Sequence, residues 1–99
     1  MPDVYLVLDG AACWVELKII TKNRVRIAKS QIAWHLSHNR CGGVSFFLMR
    51  ESGSKSALLF SSADVLALCE SREKWPAPLC ECSLPDMPAA LRSFVVGEE

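Results

Sequence analysis

Asp3, Glu16 and Lys18 are the residues whose types and spacing best suit chemistry in this chain. An apolar run over residues 4–8 ends in Asp9-Gly10, a dipeptide that favours a two-residue hairpin turn. If these two residues form the turn, the antiparallel register places Asp3 opposite Glu16, with both side chains on one face. Strand alternation adds Lys18 to the same face.

Two carboxylates opposite each other, about 4.5 to 5.5 Å apart at Cβ, repel unless a cation lies between them. Mg²⁺ suits this gap, because it takes oxygen ligands and keeps several waters. The predicted ligands are Asp3, Glu16 and the backbone carbonyl of Leu17. Such an ion polarises a phosphodiester oxygen and lowers the pKa of a bound water, while Lys18 orients or deprotonates that water or neutralises developing charge. Gln31 is a further candidate for contact with the water or a phosphate.

The same hairpin predicts a core on its opposite face. Alternation sends only apolar residues there: Val4, Leu6, Leu8, Ala11, Cys13, Val15 and Leu17. The hairpin is therefore expected to pack on one side and to carry charge on the other.

Further elements must hold this hairpin in place. A short strand is predicted over 25–27, and a helix from an N-cap at Ser30 to Gly42-Gly43. Strands are predicted over 44–49 and 57–60, with a turn between them. Later helices are predicted over 63–72, capped by Ser62, and over 89–96.

This order predicts an α/β or α+β domain. The whole chain, residues 1–99, is interpreted as one domain with its core over about 2–72. The segment 73–99, which holds the sequence's prolines from 76 to 88, is predicted to be largely irregular.

The composition indicates the class of protein and the compartment in which it works. The 99 residues are about half hydrophobic and carry a formal net charge of zero, which is typical of a compact soluble domain. A chain this short buries a modest share of its surface, which favours an oligomer. Five cysteines without a leader segment indicate a reducing cytoplasm, and no apolar run is long enough for a membrane span.

A basic segment follows the charged strand. Lys22, Arg24, Arg26 and Lys29 fall close together without an acidic residue among them. Basic side chains near a phosphodiester site hold the DNA backbone without reading sequence, and we expect that role here. The alternative is a solvated loop.

At these residues the chain resembles a known family. Pro2-Asp3, twelve residues and then Glu16-Leu17-Lys18 resemble the PD-(D/E)xK nuclease superfamily. The basic segment, the motif over 30–34 (SQIAW) and Gly42-Gly43 are similar to its VRR-NUC branch and to small phage Holliday-junction resolvases. The resemblance covers roughly residues 2–50.

The resemblance implies a restriction-endonuclease-like core and a homodimer that cuts branched DNA with Mg²⁺ or Mn²⁺. It matches Asp3 and Glu16 to the metal ligands, Lys18 to the catalytic lysine and Gln31 to the helix glutamine. It also implies a phage or prophage protein in a bacterial cytoplasm. Family members usually have a helix and a strand before the Pro-Asp pair, and here Met1 stands directly before it.

Other interpretations stay open. The charged face could belong to a catalytically inactive nucleic-acid-binding or assembly module, or to a bare structural domain with a surface salt bridge. His35 and His38 are expected to be surface or interface histidines in preference to metal ligands. Tyr5 and Trp14, opposite each other in the hairpin register, are expected to form a packing pair.

Overall fold

The chain forms a five-stranded mixed sheet with helices on both faces. The computed structural model describes residues 2–8 and 10–96, without the side chains of Leu8 and Val96. The strands lie in chain order across the sheet: β1 Val4–Leu8, β2 Ala11–Ile20, β3 Ser45–Glu51, β4 Ser56–Ser61 and β5 Cys80–Ser83. Strands β2 and β3 are parallel, and the other neighbours are antiparallel. The predicted α+β class with a mixed sheet is confirmed.

Three helices complete the fold. Helix α1 (Lys29–Arg40) connects the parallel strands β2 and β3, which a tight turn cannot join. Helix α2 (Val65–Leu68) is a single turn after β4, and α3 (Met87–Val96) ends the described chain. Within residues 2–8 and 10–96, no helix is long and apolar enough to cross a membrane.

Each sheet face has its own core. The core under α3 contains Met87 and Leu91 of that helix together with Cys13, Val15, Phe46, Ala57 and Leu59 of the sheet. The core under α1 and α2 contains Ile20, Phe47, Met49, Phe60, Val65 and Leu68, with Ile32 and Leu36 of α1 against it. Both faces of the central strands are therefore covered, as a parallel pair requires.

The hairpin has the predicted register. Val4 lies opposite Val15 and Leu8 opposite Ala11 in the β1–β2 ladder. Gly10 has a φ of +83°, the left-handed region that a two-residue hairpin turn needs and that glycine adopts without strain. Asp9, the other predicted turn residue, lies outside the described residues.

The segment between β2 and α1 differs from its prediction. No strand forms over 25–27, because Thr21 and Arg24 already close a tight turn by exchanging backbone hydrogen bonds of 2.9 and 3.0 Å. The two residues between them have positive φ angles, 52° at Lys22 and 63° at Asn23, as in a hairpin turn. The chain is thus redirected toward α1 before a new strand can pair.

Two helices also begin at residues other than the predicted ones. Helix α1 begins after Ala28 and not after Ser30, because the Gln31 side-chain oxygen accepts the Ala28 N–H at 3.0 Å and caps the helix from within. The predicted helix over 63–72 is reduced to α2. The Ser61 hydroxyl caps the 3₁₀ turn that precedes α2. Ser62, the predicted cap, is buried, and its hydroxyl accepts a hydrogen bond from Ser45.

The C-terminal segment is more ordered than predicted. Residues 80–83 form β5 on the edge of the sheet, and the prolines stand outside this strand. Met87 and Leu91, four residues apart on α3, are both buried against the sheet. Residues 80–96 therefore belong to the folded core, in contrast to the predicted boundary near residue 72.

Candidate functional site

The charged residues of the hairpin lie on the α1 face of the sheet. Extending the β1–β2 register by one pair places Asp3 opposite Glu16. Asp3 is exposed, and its Oδ2 accepts the Leu17 N–H at 2.9 Å. Glu16 is only 1% exposed, and Lys18 is half-buried. The structure therefore brings the three residues together at the boundary between sheet and solvent.

The two carboxyl groups interact directly. The pKa of Glu16 is raised to about 7, first because the side chain is buried and then because the Asp3 carboxylate lies beside it. The positive charge of Lys18 acts in the opposite direction. This pair of acids favours a shared proton or a cation over two unbalanced negative charges.

Gln31, on the first turn of α1, connects Lys18 to Glu16. Its Oε1 accepts a hydrogen bond of 2.8 Å from Lys18 Nζ, and its Nε2 donates one of 3.0 Å to Glu16 Oε2. The sequence places this glutamine in the site for contact with a water or a phosphate. In the structure its amide instead holds the two protein side chains and covers Glu16.

The Leu17 carbonyl faces the side on which Asp3 lies. The N–H and C=O of one strand residue point to the same side, and the Leu17 N–H is bonded to Asp3. The β1–β2 ladder ends at the pair of Val4 and Val15, and Pro2, two residues before Val4, has no N–H to donate to that carbonyl. The Pro-Asp pair thus keeps the carbonyl from a ladder hydrogen bond.

The side chain of Leu17 does not lie in the core as predicted. It has the expected face of β2, but it is 48% exposed. Helix α3 covers the part of this face around Cys13 and Val15, where Met87 and Leu91 pack. The prediction of the face is right, and the prediction of burial fails because the covering helix stops short.

His35 is the functional candidate that the sequence interpretation missed. It is fully buried, with Nε2 at 3.2 Å from Glu16 Oε1 and Nδ1 at 2.8 Å from Ser45 Oγ. Burial lowers the pKa of His35 to about 4, and the charges of His38 and Lys18 contribute to the same direction. The available signal was spacing: His35 follows Gln31 by four residues and so shares its helix face.

The basic residues lie along the chain between two residues of this site. Lys22, Arg24, Arg26 and Lys29 are all exposed. They occupy the connection that leaves the site after Lys18 on β2 and returns to it at Gln31 on α1. Their side chains are accessible to a ligand at the surface.

Aromatic rings lie at the other end of the same face. Tyr5 and Trp14 form the predicted packing pair, with ring centroids 4.7 Å apart. Trp34 of α1 meets Trp14 edge-on at 5.9 Å and stacks on His38 at 4.6 Å. His35 also contacts the rings of Trp34 and Phe47, with centroids 5.1 and 4.6 Å apart. Both histidines therefore take part in ring packing, and His35 in addition belongs to the polar site.

Across the described residues, no group of three or more His, Cys, Asp and Glu side chains is placed to hold a metal ion. The predicted set has a different composition, two carboxylates and a backbone carbonyl. No protein-family model, curated protein or solved structure matches the chain.

Proposed function

We propose that the chain is a metal-dependent nuclease that hydrolyses DNA phosphodiester bonds. The observation that carries the proposal is the meeting of Asp3, Glu16 and Lys18 on one sheet face, with the acids close enough that Asp3 helps to raise the pKa of Glu16 to about 7. A perturbed acid beside a second acid and a lysine is typical of an active site. The resemblance of the Pro-Asp and Glu-x-Lys motifs to the PD-(D/E)xK superfamily supports the same chemistry.

The donor set fits a hard divalent cation. Asp3, Glu16 and the Leu17 carbonyl offer oxygen atoms alone, which is the ligand type that Mg²⁺ and Mn²⁺ prefer. When bound there, Mg²⁺ would supply positive charge that polarises a phosphoryl oxygen. Because ligating carboxylates must be deprotonated, the raised pKa of Glu16 implies weak binding at pH 6 and tighter binding at pH 8.

The protein residues have separate tasks in this proposal. Lys18 places its ammonium group next to the carboxylates, where it stabilises negative charge that develops on a phosphate. Gln31 holds Lys18 in that position and covers Glu16 Oε2, at 2.8 and 3.0 Å respectively. Each oxygen of an ionised carboxylate has two lone pairs, so Glu16 Oε2 can bind the cation while it still accepts the hydrogen bond from Gln31.

The substrate class follows from charge and resemblance. In this proposal the exposed side chains of Lys22, Arg24, Arg26 and Lys29 contact DNA phosphates. The resemblance to small resolvases extends the proposal to branched DNA, to a homodimer on a restriction-endonuclease-like core, and to a phage or prophage protein acting in a bacterial cytoplasm.

A cleavage assay tests the proposal. Labelled four-way junction, flap, single-stranded and duplex DNA are incubated with the protein and Mg²⁺, Mn²⁺ or EDTA. We expect cuts that need a divalent cation and that are lost in Glu16→Gln and Lys18→Met. Exposed residues of the same types provide the controls, Glu81→Gln and Lys55→Met, which should cut like the unchanged protein.

One observation favours a second candidate, a catalytically inactive DNA-binding module on the same scaffold. Glu16 is buried, and both of its oxygens already have protein partners, His35 and Gln31. A site of this kind can be stable without a cation. The inactive module predicts salt-sensitive DNA binding with no cutting of any substrate, and equal cutting by Glu16→Gln would also overturn the nuclease.

A further inference from the structure

A chain of buried polar side chains begins at Glu16 and runs away from the proposed site. His35 Nε2 is 3.2 Å from Glu16 Oε1, and His35 Nδ1 is 2.8 Å from Ser45 Oγ. Ser45 Oγ donates to Ser62 Oγ at 2.6 Å, and Ser62 exchanges hydrogen bonds of 3.0 and 3.2 Å with the Asn39 amide. The chain thus joins β2, α1, β3 and the turn after β4.

Burying these polar side chains beside an apolar core costs free energy, because each of them loses its contacts with water. Glu16, His35, Ser45 and Ser62 are all at most 1% exposed, and they lie beside the apolar core under α1. Within the described residues, every buried side-chain nitrogen or oxygen has a hydrogen-bond partner. Apolar side chains of similar volume stabilise a core at least as well as buried polar groups do. What the network adds is a fixed orientation for each of its members.

We propose that His35 is a positioning residue that fixes the Glu16 carboxyl group, with Ser45, Ser62 and Asn39 fixing the His35 ring in turn. Held at Oε1 by His35, Glu16 presents Oε2 to the side where Asp3, Lys18 and Gln31 meet. This inference rests on the proposed function, in which Glu16 binds the cation. It assigns His35 a role through Glu16 and none as a ligand.

The direction of each hydrogen bond does not affect this role. Hydroxyl groups both donate and accept, and the Asn39 amide offers a donor and an acceptor to Ser62. With Ser45 donating to Ser62, His35 donates from Nδ1 and accepts from a protonated Glu16. With the chain reversed, His35 donates from Nε2 to the carboxylate. The ring holds Glu16 in both cases.

Two substitutions at residue 35 separate positioning from packing. In His35→Gln the amide reaches about as far as Nε2 and keeps a hydrogen bond to Glu16, whereas in His35→Asn it reaches only the Ser45 side. His38→Gln, the same change on the same helix, is the control. Thermal unfolding of all variants shows whether each is folded.

The first readout is Mn²⁺ affinity by calorimetry. Loss of a residue that orients a metal ligand typically weakens binding about 10- to 100-fold. We expect this loss in His35→Asn, with affinity near that of the unchanged protein in His35→Gln and His38→Gln. Equal loss in both residue-35 variants, or none in His35→Asn, would overturn the proposal.

The second readout needs no metal. NMR relaxation of the Glu16 side-chain methylene groups reports its rigidity on the picosecond to nanosecond timescale. We expect a rigid Glu16 in the unchanged protein and His35→Gln and a mobile one in His35→Asn. If the unchanged protein neither binds Mn²⁺ nor cuts DNA, the nuclease proposal fails, and the NMR comparison still tests the positioning role of His35. A Glu16 that stays rigid in folded His35→Asn overturns the positioning role.

Discussion

At the scale of single residues, Glu16 and His35 have opposite responses to pH. The pKa of Glu16 is raised from its ordinary 4.5 to about 7, and the pKa of His35 is lowered from 6.5 to about 4. Between pH 4.5 and 7 the folded chain keeps a proton at Glu16 that the unfolded chain loses, so this term weakens the fold as pH rises. Between pH 4 and 6.5 the unfolded chain binds a proton at His35 that the folded chain does not, so this term strengthens it.

The pH dependences that Glu16 and His35 give to the free energy of unfolding offset each other. Removing the Glu16 carboxyl group therefore leaves the His35 dependence alone. In Glu16→Gln we expect the free energy of unfolding to rise by on the order of 2 kcal/mol between about pH 4 and 6.5, with a flatter profile in the unchanged protein. Urea unfolding at several pH values measures both profiles, with Glu81→Gln as the control. Parallel profiles for Glu16→Gln and the unchanged protein would show that the two buried groups do not titrate as described.

The sequence predicted part of this residue arrangement and missed part of it. Asp3, Glu16 and Lys18 were predictable because a two-residue turn fixes every pairing in a hairpin. His35 was not, since its role depends on how α1 packs across the sheet. A histidine on a helix has no strand register to say what it faces, so its contact with Glu16 becomes visible only in three dimensions.

At the scale of elements, the β2–α1 connection combines turn geometry with charge. Its tight turn at Lys22 and Asn23 ends β2 and directs Arg24 and Arg26 into solvent. The predicted strand over 25–27 was wrong because alternation alone does not reveal a turn built from two non-glycine residues with positive φ. The basic character of the segment depends only on composition and was predicted directly.

This connection should set the salt dependence of DNA binding. Each phosphate contact contributes about 0.9 to the slope of log affinity against log salt for duplex DNA. We expect Lys22→Ser and Arg26→Ser each to reduce that slope by about 1 and to weaken binding to all sequences alike. Fluorescence anisotropy over a salt series measures the slope. An unchanged slope in both variants, matching the control Lys55→Ser, would remove the connection from the DNA interface.

At the scale of the whole molecule, the fold depends on residues that the sequence interpretation placed outside the core. Strand β5 and helix α3 complete the sheet edge and the second core, although four prolines lie between residues 76 and 88. Prolines beside a short strand resemble prolines within a loop when only the sequence is read. The hairpin and its crossover helix were predictable because local periodicity and turn residues define them.

We propose that the hairpin and the residues packed around it form one divalent-cation site at Asp3 and Glu16. Calorimetric titration of Mn²⁺ at pH 8 into the unchanged protein, Asp3→Asn and the control Asp64→Asn tests it most directly. Asp3 is exposed and Asp64 is half-buried, and neither belongs to the buried core, so neither substitution should disturb it. We expect one Mn²⁺ per chain in the unchanged protein and the control, and a large loss of affinity in Asp3→Asn. Equal binding by all three proteins, or binding by none, would contradict it.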